Sequence, residues 1–297
     1  MKEFFKKHAI LFMLLVAAIA LFSNLMRGVL ENVFGTSLMM SYVIDAVCGY
    51  IISILPLVLM VKWGYIKKSN KQRILLGFLM GTPYILFGIR NLLPLVLVNR
   101  ILFQVQWGMM IIIVIDMFSI GLMEESIMRG VVLPLLCEKW QDRKHPYLKA
   151  AFVSSLLFGC VHLNWSVRYF LAYGTLPAEY LASNLYQVYY AFCVGMLASG
   201  VTLYARSIVP MIIWHAFCDF TASISAALLP INTYENYYNN GVLSPQKVFD
   251  TYNILGGFKY GDVLVFGMIN LLLLCVGVVL TRKAEKDIYR KVLFIEY

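Results

Sequence analysis

The chain has 297 residues, of which 61% are hydrophobic and only 14% are charged. An ordinary soluble domain carries about a quarter charged residues, so this composition argues against a soluble globular protein. The net charge of +9 comes from Lys and Arg in short polar stretches between apolar blocks. That distribution is typical of membrane topology and argues against a nucleic-acid partner.

The apolar residues form blocks of about 20, the length that an α-helix needs to cross a bilayer. We therefore predict an all-α, polytopic transmembrane helical bundle of about eight spans, organised as a single membrane domain over residues 1–297. The first block lacks a small-residue cleavage site, so we expect it to remain as an uncleaved first helix. The predicted spans are 8–26, 41–61, 74–89, 104–124, 150–163, 185–204, 208–228 and 263–281.

The fourth apolar block continues to Leu136, further than one crossing requires. We expect either a tilted helix or a bend after Glu125 into a second helix near the interface. Pro134 is expected to help end this helix, because proline cannot donate a backbone hydrogen bond.

The basic residues predict the orientation. With the N-terminus in the cytoplasm, 18 Lys and Arg residues fall in inner segments and 6 in outer segments, and Arg129 is left within an apolar block. By the positive-inside rule, both termini should therefore be cytoplasmic in a multi-pass protein of the lipid bilayer, which we place in a bacterial cell membrane. The six cysteines show no metal or disulfide spacing and are interpreted as small buried hydrophobes.

Ionisable residues inside a membrane are costly and are usually functional. The apolar blocks of this chain contain eight of them, and each alone is also compatible with a satisfied polar contact between packed helices. They are Asp45, Asp116, Glu124, Glu125, Arg129, His162, His215 and Asp219.

The segment from Glu124 to Gly130 reads Glu-Glu-Ser-Ile-Met-Arg-Gly. On a helix, Glu125 and Arg129 are four residues apart and face each other, so an ion pair would lower the cost of burying both. Glu124 points about 100° away and lacks a partner on its own helix. It is therefore a candidate general base, although all three residues could instead form a purely structural cluster.

Two later helices carry further candidates. Phe158 and His162 share one helix face, and Gly159 between them permits the close approach of another backbone. His215 and Asp219 are also one turn apart and could act on one group together. Helix rise places Glu124, His162 and His215 roughly 21, 20 and 14 Å below the cytoplasmic edge, which favours a single buried site.

Glu-Glu-x-x-x-Arg, Phe-x-x-x-His and His-x-x-x-Asp, in this order on separate apolar segments, resemble the CAAX protease and bacteriocin-processing (CPBP or Abi) family. The resemblance covers about residues 104–228, and many members have Asn where this chain has Asp219. It implies an intramembrane endopeptidase that hydrolyses a membrane-associated protein or peptide, of the CAAX type or of the bacteriocin or signal-peptide type.

Carried onto this chain, the resemblance implies that Glu124 and His162 activate water. It also implies that His215 and Asp219 bind the oxyanion, and that Glu125 and Arg129 support the site. These roles agree with what hydrolysis needs, namely a base and a donor to the developing charge. No cofactor is favoured on this interpretation.

Three alternatives remain. Glu124, His162 and His215 could instead form a two-histidine, one-glutamate zinc site with an open position, although the chain has no His-Glu-x-x-His motif. The same fold could serve a non-catalytic bacteriocin-immunity or scaffold protein. A transporter is the third alternative, because Asp45 and Asp116 lie outside the three motifs.

Overall fold

The computed structural model describes residues 2–8, 29–30, 33–34, 37–65, 71–86, 88–89, 92, 105–224, 227 and 260–293. Regular structure in these ranges is helical throughout, which confirms the predicted all-α bundle. A π-helical turn, Ser126–Val132, joins α4 to α5. The helices are α1 Lys2–Lys7, α2 Leu38–Lys62, α3 Lys71–Met80, α4 Trp107–Glu125, α5 Leu133–Lys139, α6 Pro146–Val161, α7 Asn164–Tyr173, α8 Ala178–Ala205, α9 Val209–Ser223 and α10 Tyr260–Leu293.

Four helical stretches of the described chain are long and apolar enough to cross a membrane, and they correspond to four of the predicted spans. They are Met39–Lys62, Trp107–Lys139, Tyr180–Ala205 and Gly267–Asp287. The predicted span 8–26 lies almost wholly outside the described residues. The sidedness of the termini stays a prediction.

Two predicted spans are realised by shorter helices. Helix α6 has 16 residues, about 24 Å at 1.5 Å per residue, less than the roughly 30 Å of a bilayer core. Helix α9 has 15 residues. Both carry polar motif residues of the predicted site.

The predicted span over 74–89 is not one continuous helix, so this prediction is wrong. Helix α3 ends at Met80 and a turn follows over residues 81–83. Pro83 in that turn has no N–H to continue the helical ladder, which explains the break. The indole of Trp214 donates to the carbonyl of Phe78 at 2.9 Å and so satisfies one group that the helix end leaves free.

The expectation that Pro134 helps to end the fourth helix is also wrong. The helix runs from Trp107 to Lys139 without interruption, through the π-helical turn. Leu133 donates to the carbonyl of Met128, five residues back. The wider π-helical turn accommodates Pro134, which has no backbone N–H to donate. The chain therefore continues as a helix beyond the proline.

Helix α8 is the centre of the bundle. In its most apolar part 67% of the residues are buried, compared with 33–39% in the other three long stretches. It packs on α6 and α10, whereas α4 packs on α2 and α9. The α4–α9 contact is close because Gly121 has no side chain: a Cβ there would lie 2.9 Å from the carbonyl oxygen of Ile212. This close approach brings the end of α4 against the middle of α9.

Gly159 permits the same kind of close backbone approach between α6 and α8, as predicted. A Cβ on Gly159 would lie 2.7 Å from the carbonyl oxygen of Val188, a distance that real Cβ atoms do not tolerate. Small residues allow helices in membranes to pack backbone to backbone. The carboxyl end of α6, with Phe158 and His162, is thereby held against the central helix.

Candidate active site

Three helix segments converge on one polar cluster within the apolar bundle. The last turn of α4 presents Glu124 and Glu125, and α9 presents His215 and Asp219. The end of α6 presents Phe158 and, at its C-cap, His162. The depth argument from the sequence placed these motifs at one level, and the structure brings them together.

The inner part of the cluster is the ion pair predicted from the four-residue spacing. Arg129 Nη1 donates to Glu125 Oε1 at 3.1 Å, and the relative exposure of both side chains is 0%. Arg129 sits in the π-helical turn, one turn beyond Glu125. Pairing reduces the cost of taking both charges out of water.

A second donor reaches the same carboxylate oxygen from another helix. His215 Nδ1 lies 2.8 Å from Glu125 Oε1. Because a carboxylate oxygen accepts, this nitrogen carries the proton, and the hydrogen bond fixes the orientation of the ring. Glu125 therefore links Arg129 to His215, a contact that no spacing within one helix predicts.

The other ring nitrogen of His215 faces two further carboxylates. Nε2 lies 3.4 Å from Glu124 Oε2 and 3.5 Å from Asp219 Oδ2. These separations are longer than an ordinary N–H···O hydrogen bond, so both are loose ion contacts. The Glu124 and Asp219 side chains keep 26% and 34% of their exposure. This side of the cluster is open.

His162 joins the cluster through Phe158. Its Nδ1 lies 2.9 Å from the Phe158 carbonyl oxygen, which can only accept, so Nδ1 carries the proton. In the neutral ring Nε2 is then an unprotonated acceptor. Glu124 and His162 make no direct hydrogen bond or ion pair with each other within the described chain.

The remaining intramembrane acids lie elsewhere. Asp116 is buried in α4, eight residues before Glu124, which separates the two by about 12 Å along the helix. Asp45 lies half-buried in α2. Asp116 is thus about two turns of helix away from Glu124, and Asp45 lies on a helix that carries none of the three motifs.

The zinc alternative fits the geometry in part. The 3.4 Å between Glu124 Oε2 and His215 Nε2 is close to the roughly 3.3 Å that separates two ligands on one tetrahedral zinc ion. A structural zinc site needs four ligands and a catalytic one at least three. Across the described ranges, no three His, Cys, Asp or Glu side chains are arranged to hold a metal ion.

The part of the chain that contains the site is similar to known proteins. Residues 106–221 match the family model described as type II CAAX prenyl endopeptidase Rce1-like. Over these residues the chain is similar to the CAAX protease family. The probable CAAX prenyl protease 2 of Schizosaccharomyces pombe (strain 972 / ATCC 24843) is 33% identical over 103 residues, which cover 33% of this chain and 35% of that protein. No solved structure matches the chain.

The resemblance seen in the three motifs is thereby confirmed at the level of the CAAX protease family. The matched residues lie within the predicted core, 104–228, and contain every member of the cluster. The chain aligns with only about a third of the length of the curated relative. Helices α2, α3 and α10 lie outside the CAAX protease match and pack around it.

The cluster in the matched region combines two kinds of group. Glu125, Arg129 and the Nδ1 side of His215 are buried and hydrogen-bonded to one another. Glu124 and Asp219, which lie beside His215 Nε2, are partly exposed. Such a site can offer a carboxylate base and an imidazole donor to the same group of a substrate. Acyl-transfer chemistry requires both a base and a donor.

Proposed function

We propose that this protein is an intramembrane endopeptidase that hydrolyses a peptide bond of a membrane-associated protein or peptide. The observation that carries the proposal is the open side of the cluster. A partly exposed carboxylate, Glu124, lies beside the Nε2 atom of an imidazole whose other nitrogen is fixed by a buried carboxylate. The CAAX protease family match over the same residues supports the choice of reaction.

Water activation is assigned to Glu124 and His162. Each offers an acceptor: the Glu124 carboxylate, and the Nε2 atom that His162 leaves unprotonated when its Nδ1 donates to the Phe158 carbonyl. In this proposal the two groups act together on one water molecule. The water oxygen bonds to the acyl carbon, and the proton removed passes to the leaving amine nitrogen as the C–N bond breaks.

Oxyanion stabilisation is assigned to His215, with Asp219 beside it. The Nε2 atom of a protonated His215 donates toward the open space, because Glu125 holds the opposite nitrogen. Asp219 lies 3.5 Å from Nε2, where its charge favours and orients that donor. An ionised carboxylate is only an acceptor, so Asp219 would not itself bind the oxyanion in that state.

The substrate class is taken from the family. The matched model is named for CAAX prenyl endopeptidases, and the relative for a CAAX prenyl protease. A peptide that carries a prenylated cysteine near its carboxyl end is therefore the first substrate to test. A bacteriocin leader or signal peptide is the second, since all of these substrates lie at the membrane.

The test is comparative peptidomics of membranes from cells that express the wild-type protein or Glu124→Ala. We expect one or more carboxyl-terminal or leader peptides to appear with the wild type and to be absent with the variant. Glu138→Gln, a carboxylate further along the same helical run, is the matched control and should preserve these products. Indistinguishable peptide profiles from wild type and Glu124→Ala would overturn the proposal.

A further inference from the structure

The ring of Phe158 lies among three of the cluster's charged or titratable side chains. The guanidinium carbon of Arg129 is 4.4 Å from the ring centroid. The rings of His162 and His215 meet it edge to face, with centroids 5.1 and 6.0 Å away and interplanar angles of 84° and 86°. Phe158 itself is 5% exposed.

The contact with Arg129 has an electrostatic purpose. Arg129 uses Nη1 on Glu125, but Nε and Nη2 are buried and have no hydrogen-bond partner among the described residues. A guanidinium within about 6 Å of an aromatic centroid is attracted to the negative face of the ring. The Phe158 ring therefore supplies part of the stabilisation that the unused donors of Arg129 do not obtain from hydrogen bonds.

The contacts with the two imidazoles set their directions. Phe158 holds His162 twice, because its carbonyl accepts from Nδ1 and its ring packs against the imidazole. The same ring packs against His215, whose Nδ1 is held by Glu125. The ring planes of both histidines thus stand nearly perpendicular to one common plane, that of Phe158.

We infer that Phe158 is a positioning residue, which fixes His162 and His215 relative to each other and to the Glu125–Arg129 pair. This inference rests on the proposed function for its kinetic consequence. Phe158 touches no reacting atom in that mechanism and acts through the three side chains it contacts. A displacement of about 1 Å in a catalytic group costs up to roughly 100-fold in rate, so a residue with this role is visible in kinetics.

The competing explanation is that Phe158 only fills the core. It belongs to a large buried cluster that includes Leu133, Ala151 and Met196. Phe192 provides the matched control, because it packs at the same cluster and makes its own edge-to-face contact with Phe152, at 5.3 Å and 75°. Phe192 has no ring contact with either histidine or with Arg129 among the described residues.

The kinetic test compares Phe158→Leu with Phe192→Leu on a fluorescence-quenched peptide that carries a prenylated cysteine, in reconstituted liposomes. We expect kcat to fall about 10- to 100-fold for Phe158→Leu with KM changed less than about twofold. Phe192→Leu should keep kcat within about twofold. Equal loss of kcat in both variants, at equal loss of thermal stability, would reduce Phe158 to a core residue.

A series of fluorinated phenylalanines at position 158 keeps the ring and weakens its negative face in steps. Under the positioning role, kcat decreases along the series, whereas the same series at position 192 leaves kcat unchanged. If kcat stays constant along the series at position 158, the Arg129 contact is not part of the positioning role.

A measurement that does not depend on peptide cleavage separates this inference from the proposed function. The chain has four histidines, so side-chain ¹⁵N spectra of labelled protein can be assigned with single His→Gln variants. We expect His162 in the wild type to show one tautomer, protonated at Nδ1, and Phe158→Leu, which keeps the backbone carbonyl but removes the ring contact that holds the imidazole against it, to show a mixture. If no variant cleaves the peptide but this change occurs, the proposed function fails and the positioning role stands; an unchanged tautomer would overturn the role.

Discussion

The two sides of His215 differ in how firmly they are bound. On the inner side, Nδ1 meets Glu125 at 2.8 Å, and Glu125 is fully buried and paired with Arg129. On the outer side, Nε2 meets Glu124 and Asp219 at 3.4 and 3.5 Å, and both carboxylates are partly exposed. Similar chemical groups are thus tightly held on one side and loosely held on the other.

This difference separates structural carboxylates from available ones. A buried carboxylate with two donors on one oxygen is stabilised as it stands, and removing it leaves charges unpaired in an apolar bundle. A carboxylate with long contacts and an open face can exchange its partners for a substrate or a proton at little cost. Adjacent residues, Glu125 and Glu124, therefore should respond to substitution in opposite ways.

Removal of the inner carboxylate should have the largest effect on the fold. Glu125→Ala leaves Arg129 and the Nδ1 side of His215 without their shared partner, at a cost of about 3–5 kcal/mol in the free energy of unfolding. Thermal unfolding in detergent and the yield of folded protein should both fall. Glu125→Gln, which keeps an acceptor, should lose less, and wild-type stability in Glu125→Ala would show that the inner side is not structural.

Loss of the bridging imidazole should act mainly on the rate. His215→Ala removes the proposed oxyanion donor, for which about 10²–10³ in kcat is the usual cost. Single-turnover cleavage of one peptide measures it. A His215→Ala protein that cleaves at the wild-type rate would remove the oxyanion role from this residue.

A smaller effect is expected at the outer carboxylate of α9. Asp219→Asn retains a polar group that can donate directly, and many family members have Asn here, so kcat should stay within about tenfold of wild type. The same single-turnover experiment at several pH values measures it. Inactive Asp219→Asn beside active His215→Ala would refute the oxyanion assignment as a whole.

Metal removal should have the smallest effect. Because the proposed mechanism uses only side chains, purified protein should keep its activity in strong chelator and contain far less than one metal ion per chain. Metal analysis and the cleavage rate before and after chelation check this. A stoichiometric ion whose removal abolishes cleavage, with activity restored on its return, would establish the zinc mechanism instead.

The sequence predicted contacts within one helix and the close approach at Gly159, but it missed the hydrogen bond between helices. The Glu125–Arg129 pair follows from a spacing of four residues, and the shared level of the motifs follows from helix rise. The Glu125–His215 hydrogen bond joins residues 90 positions apart. It depends on how closely α4 and α9 pack at Gly121, which no single helix reveals.

Two errors concern proline. Pro134 was expected to end a helix, but a π-helical turn accommodates the missing donor and the helix continues. Pro83 was not considered, although Gly81-Thr82-Pro83 interrupts the apolar block predicted as one span. In both cases hydropathy alone does not determine how the backbone satisfies its hydrogen bonds at the proline. Phe158 was noted only as sharing a face with His162, because ring contacts across helices are invisible in the sequence.

The most direct measurement compares Glu124→Gln and Glu125→Gln in one preparation, by single-turnover cleavage of a prenylated peptide and by thermal unfolding. Glu124→Gln should unfold at the wild-type temperature and lose about 10²–10⁴ in rate, the usual contribution of a general base. Glu125→Gln should unfold at a lower temperature and keep more of its rate. Wild-type cleavage by a folded Glu124→Gln protein would contradict the assignment of Glu124 as the base.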